Sequence, residues 1–142
     1  MLYKDFLATI NKCPFCEGKN RTIVDAPTAY LTYALAPYHK HHLLILPKRH
    51  VERLQDLTDQ EQKDIEQLER QGMTLLKKLG YKSIALLMRE GEVSANKSVA
   101  HVHYHLIPEV RVGNLDEDSG LERKVLSDEE VQQTMDDFKP YL

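Results

Sequence analysis

The chain has 142 residues, 42% hydrophobic and 29% charged, with a net charge of −3. That length points to one domain, 1–142, with enough interior to fold alone, and that charge gives no general attraction to nucleic acid or an anionic membrane. No apolar run approaches the ~18 residues of a transmembrane helix. Charges inside the apolar part of "MLYKDFLATINK" argue against a signal peptide, so a cytoplasmic protein is expected.

Residues 2–11 read as a short helix with Leu2, Phe6 and Ile10 on one face. "CPFCEGKN" follows as a knuckle with Pro14 and Gly18 as turn residues. Its cysteines, Cys13 and Cys16, are the only two in the chain, and their spacing suits a metal site or a redox pair better than a structural disulfide. "RTIVD" (21–25) and "AYLTYAL" (29–35) read as strands, and the five-residue apolar run "HLLIL" (42–46) reads as a buried strand ended by Pro47. The long helix begins at a capping box of Thr58 and Glu61. Ile65, Leu68, Gly72, Leu75, Leu76 and Leu79 form its apolar stripe, and Gly80 its C′ position. "IALLM" (84–88) is a strand, 89–98 a loop and 99–107 a strand. After Pro108 the chain turns acidic, until a second capping box, Ser127 and Glu130, opens a helix to about Phe138. Strands gathered around one long helix predict an α+β fold with a mainly antiparallel sheet of about five strands and short terminal helices.

Chemistry concentrates in "AHVHYHLIPEV". His101, His103 and His105 alternate, so on a strand they share one face at about 7 Å intervals while Val102, Tyr104 and Leu106 face a core. The bland alternative is a polar edge face that happens to carry imidazoles, but exposed strand positions more often carry Thr, Lys or Glu. Metal ligation, phosphate binding, and nucleophilic or acid–base catalysis all suit such a row. A second cluster, "APYHKHHLLILPKRH", holds His39, His41, His42 and His50 with Lys40, Lys48 and Arg49, a cationic patch suited to an anionic substrate. His39 and His41 read best as a solvated strand end.

"SVAHVHYHLIP" resembles the His-φ-His-φ-His-φ-φ signature of the histidine-triad (HIT) family of nucleotide hydrolases and transferases. "HHLLILPKRHVERLQDL" is similar to the family's other segment, a histidine opening a strand that ends in Pro-Lys-x-His, and "CPFC" to the knuckle of its zinc-bearing members. The three occur in the family's order and span roughly 13–110, leaving 111–142 as an acidic C-terminal extension.

The resemblance implies that His103 is a nucleophile attacking the α-phosphorus of a nucleotide, with the His101 carbonyl fixing its tautomer. It implies that His105 and His42 contact the phosphate oxygens, with His105 able to protonate the leaving group, and that Ser98 donates a hydrogen bond to the phosphate. It implies a structural zinc held by Cys13, Cys16, His50 and His101. A triad ending in His rather than Gln favours hydrolysis over nucleotidyl transfer. Dinucleoside polyphosphates and nucleoside phosphoramidates are the substrates implied, and a homodimer with joined sheets the assembly.

Three positions depart from the family pattern. Ala34 stands where many members carry a ribose-binding Asp or Asn, Lys97 where they carry Gln, and Arg89 near an Asn position. Lys97 and Arg89 would make the pocket more cationic, as a polyphosphate requires, though solvated loop charges explain them as well. Two rival classes remain. In a metallohydrolase, the triad and His42 would bind a catalytic metal; no carboxylate interleaves the histidines, as such sites usually require. The other is a non-catalytic nucleotide- or zinc-binding module.

Overall fold

A computed structural model describes residues 1–9, 13–16, 21–90, 100–109 and 123–142. Helix α1 (Tyr3–Thr9) leads to strands β1 (Thr22–Asp25), β2 (Ala29–Tyr33) and β3 (Leu43–Pro47). Helix α2 (Asp59–Lys78), strands β4 (Ile84–Met88) and β5 (Tyr104–Pro108), and helix α3 (Asp128–Phe138) complete the order. The strands form one sheet, β1-β2-β3-β5-β4, antiparallel throughout, so the expected α+β class holds. Among the described residues no helix is long and apolar enough to cross a membrane.

Alternation along the central strands gives the sheet two apolar faces. Ala29, Leu31, Leu43, Ile45 and Leu106 pack against Ile65, Leu68, Leu75 and Leu76 of α2. Each such buried Leu or Ile stabilises the fold by roughly 1.5–3 kcal/mol. Gly72 sits inside this contact: a Cβ there would lie 2.5 Å from Leu106 Cδ1. A side chain at 72 would therefore require the Leu106 side chain to shift. On the opposite face Tyr30, Leu44 and Leu46 pack with Phe15 of the knuckle and Ala34.

Both ends of α2 follow the sequence. Thr58 and Glu61 make a full capping box. At the other end Gly80 has φ +101°, its N–H bonds the Lys77 carbonyl, and the Tyr81 N–H bonds that of Leu76, a Schellman closure. Asp64 accepts from the Thr28 N–H and hydroxyl, tying α2 to the β1–β2 turn. Glu61 also accepts from Arg49 at 2.8 Å, which fixes the end of β3 beside His50.

One expectation needs correcting. The strand predicted over 99–107 is Tyr104–Pro108, and His101 and His103 precede it. Their backbone bonds elsewhere: the Val102 N–H to the Val51 carbonyl, and the His101 carbonyl to the His103 ring. The facing survives, since Val102 and Leu106 are fully buried and Tyr104 packs against the same core. The 123–142 segment, read as part of an acidic C-terminal extension, packs against the rest of the fold. Its helix α3 opens at the predicted Ser127–Glu130 capping box, and Phe138 is fully buried in the main core. Upstream of α3, Lys124 bridges Leu2 and the Val125 N–H bonds the Met1 carbonyl.

Candidate functional site

The face of the sheet opposite α2 carries the histidines. Leu44 pairs with His105 in the ladder, which places His105 beside the start of β3, just after His42. The ring centroids of His42 and His105 lie 5.1 Å apart, and those of His103 and His105 4.8 Å apart. Phe15 packs against His103 at 5.2 Å.

Hydrogen bonds set the tautomers. His103 Nδ1–H donates to the His101 carbonyl at 2.7 Å, so Nε2 carries the lone pair. His42 Nδ1 accepts from the Tyr38 N–H at 3.2 Å, so its Nε2–H donates to His105 Nδ1 at 2.8 Å. His105 is then protonated at Nε2. Two relays result: one presents a basic nitrogen, the other a donor.

Electrostatics keep the second relay uncharged. Burial, then the positive charge of Arg123 and the neighbouring rings, lowers the His42 pKa to about 3. His105 is held well below the ordinary histidine value by burial, by His42 and His103, and by Arg89 and Arg123. His42 is 2% exposed with both nitrogens engaged. Its ring is thus held between the Tyr38 N–H and the His105 ring.

The structure brings Cys13, Cys16, His50 and His101 together, their ligand atoms all within 4.8 Å of one another. Sulfur–nitrogen separations are 3.4 Å for Cys13–His101, 3.2 Å for Cys16–His50 and 3.6 Å for Cys16–His101. Tetrahedral bonds of zinc to sulfur and imidazole require about 3.6 Å. The other imidazole nitrogens donate outward, His101 to the Pro47 carbonyl at 3.0 Å and His50 to Glu52 at 3.3 Å. Such outer partners turn both Nδ1 lone pairs towards the thiols, as metal-binding histidines need. The donor set and its spacing fit a closed metal site. Among the described residues it is the one cluster of three or more such groups, and neither His103, His105 nor His42 belongs to it.

Ser98 and Lys97 lie outside the described residues, while Arg89 is close enough for its charge to act on His105. Ala34 is buried in the second apolar cluster and offers no ribose contact.

His41 contradicts its reading as a solvated side chain. It is 5% exposed; its Nε2–H donates to Asp137 of α3 at 2.6 Å, and Nδ1 shares a hydrogen bond with the Tyr81 hydroxyl. Its carboxylate partner lies 96 residues away. His39 packs edge-on against Tyr81. The sequence reading also missed Tyr38 and Arg123. The Tyr38 ring stacks on His42 at 5.9 Å, and the Arg123 guanidinium lies 4.7 Å over the Tyr38 ring. Neither belongs to a motif; Tyr38's position four residues before His42 was the one available signal.

Residues 16–112 match the model of the HIT domain family. The chain belongs to the HIT family. An uncharacterised HIT-like protein of Methanocaldococcus jannaschii is 36% identical over 101 residues, covering 68% of this chain and 78% of that one. The adenosine 5'-monophosphoramidase hnt1 of Schizosaccharomyces pombe is 34% identical over 74 residues, 52% of this chain and 53% of that one. The asymmetrical bis(5'-nucleosyl)-tetraphosphatase of the same organism is 35% identical over 74 residues, 52% of this chain and 41% of that one. Among solved structures, a zinc-bound histidine triad family protein of Mycobacterium smegmatis superposes with a TM-score of 0.65 at 18% identity, covering 91% and 94% of the two chains. This HIT chain therefore shares its fold with that protein and its sequence core with two hydrolases.

Proposed function

We propose that the protein is a nucleotide hydrolase that cleaves at the α-phosphate through a nucleotidyl-His103 intermediate. The observation that carries this reading is the His103 Nδ1–His101 carbonyl hydrogen bond, which leaves Nε2 as a nucleophile. Relatives named for phosphoramidase and tetraphosphatase activities support the substrate class.

In the first step the Nε2 lone pair forms a bond to the α-phosphorus. The bond from phosphorus to the bridging oxygen or nitrogen breaks, and its electron pair departs with the leaving group. His105 Nε2–H donates a hydrogen bond to the departing atom, held in line by His42. Full proton transfer needs His105 as imidazolium, which the surrounding charges disfavour and a bound phosphate anion favours. A polyphosphate departs as an anion and needs no such proton, whereas an amine does. In the second step water attacks phosphorus, the nitrogen–phosphorus bond returns its pair to the ring, and the water proton passes to solvent as a nucleoside monophosphate leaves. Ser98 would donate to a phosphate oxygen, with Lys97 and Arg89 adding positive charge.

Cys13, Cys16, His50 and His101 would hold a structural zinc, in keeping with the zinc-bound neighbour and with two cysteines that form no disulfide. When bound, the ion supplies a crosslink between the knuckle, the end of β3 and the segment bearing His103. β4 lies at one edge of the sheet with Leu86 45% exposed, a suitable seam for a homodimer with joined sheets.

The test is incubation with labelled nucleotides, quenched at alkaline pH, where a phosphorus–nitrogen linkage to histidine survives. A nucleotidyl mass on His103, and loss of turnover in His103→Ala, are expected. Turnover persisting in that variant would sink the reading.

A further inference from the structure

We propose that Phe15 is a positioning residue for the nucleophile: its ring, carried between the two cysteines of the knuckle, braces the hydrogen bond from His103 to the His101 carbonyl. The inference rests on the hydrolase reading and names what keeps the reactive nitrogen of that site in place.

His103 needs a brace because the sheet does not supply one. The ladder begins at Tyr104, which pairs with Ile45 and Met88, so the His103 backbone stands just outside it. Val102 fixes the other face of the segment: its side chain is buried in the core beside α2, and its N–H bonds the Val51 carbonyl. An imidazole still turns about its Cβ–Cγ bond, a soft torsion, and one hydrogen bond restrains that turn only weakly. Phe15 meets both partners of the bond. Its ring centroid lies 5.2 Å from that of His103, tilted by 52°, and 6.0 Å from that of His101, nearly edge-on at 86°. Aromatic contacts have preferred angles as well as apolar area. One ring thus limits the swing of the nucleophile and steadies the residue whose carbonyl accepts its N–H.

The brace is seated on the sheet and not on the metal ligands. The Tyr30 hydroxyl donates to the Phe15 carbonyl at 2.6 Å, and the Arg21 guanidinium donates to the Pro14 carbonyl at 2.7 Å. The Phe15 side chain is buried and packs with Tyr30, Ala34, Leu44 and Leu46. Cys13 and Cys16 hold the two ends of the knuckle, while Tyr30 and Arg21 hold its middle. Phe15 therefore stays against His103 whether or not the thiols bind an ion. It also lines a cavity with Tyr30 and Lys48, which leaves room at the ring for a small substituent.

The test compares wild type with Phe15→Leu, which keeps apolar bulk without a flat ring, and Phe15→Tyr, which keeps the ring. Each is confirmed folded by its melting curve. One arm measures kcat and KM on adenosine 5'-phosphoramidate. In Phe15→Leu kcat is expected to fall by about tenfold with KM within about threefold of wild type, and Phe15→Tyr is expected to recover most of the loss. A kcat that stays within about threefold of wild type in Phe15→Leu, a loss carried by KM, or equal losses in both variants overturns the proposal. The second arm reads the His103 ring directly, by nitrogen NMR of histidine-labelled protein, independently of turnover. Wild type is expected to show the single tautomer protonated at Nδ1, and Phe15→Leu a mixture with the Nε2-protonated form. Identical spectra overturn the proposal. A wild-type protein that cleaves no nucleotide, yet shows this change in the ring, refutes the hydrolase reading alone. Nucleotidylation of His103 at the wild-type rate in Phe15→Leu refutes the Phe15 assignment alone.

Discussion

His41 and His42 are neighbours in sequence, and both are buried. His41 lies between a carboxylate and a phenol, Asp137 and Tyr81, and joins α3 to the body of the fold. His42 lies between a backbone N–H and another imidazole, next to Arg123, with its pKa lowered to about 3. Burial is common to both; their partners differ, and partners decide what each ring does. One ring is a structural latch and the other belongs to the row of histidines that includes His105.

The largest separation should appear in turnover. His42→Ala leaves His105 without its donor and is expected to lower kcat/KM by about 10²-fold, whereas His41→Ala changes it by less than about threefold. Equal losses in steady-state assays would mean that the adjacent rings are not separable.

Metal removal probes stability on the site's own face. A chelator, or Cys16→Ser, is expected to lower the melting temperature by more than about 5 °C. Specific activity of the protein that stays folded should persist. Activity lost in step with metal, without unfolding, would favour a catalytic ion.

The latch is expected to show in stability alone. Asp137→Ala removes a charged partner from buried His41 and should cost about 2 kcal/mol in urea denaturation. Tyr81→Phe should cost about 1 kcal/mol.

An effect of similar size is expected in pH. His42 takes up a proton near pH 6.5 when unfolded but only near pH 3 when folded. Its contribution is complete above about pH 6.5 and falls as pH drops towards 3, because only the unfolded chain gains the proton, with a slope of about 1.4 kcal/mol per pH unit. Denaturation of wild type at pH 7.5 and 5.5 should therefore show a larger loss than that of His42→Asn. An identical loss would show that His42 is not the titrating group.

What the sequence could reveal followed the range of the interactions. Capping boxes at Thr58–Glu61 and Ser127–Glu130, the α2 stripe and the alternation of Val102, Tyr104 and Leu106 depend on near neighbours, so local pattern sufficed. The metal cluster was accessible because the resemblance supplied the pairing of Cys13 and Cys16 with His50 and His101. The His41–Asp137 bond and the Arg123–Tyr38 contact link positions 96 and 85 residues apart, and no periodicity encodes them. The start of β5 was misjudged because a strand pattern cannot reveal that the His101 carbonyl is drawn to an imidazole instead of a ladder.

The bridge between Leu2 and Lys124 has a practical corollary. The opening residues of the chain are the backing against which position 123 is seated. Trimming them, or hanging a purification tag there, would loosen the chain that leads into α3 and so weaken the seat of Asp137 against buried His41. An expression design that treats this end as inert would then underestimate the stability of the fold.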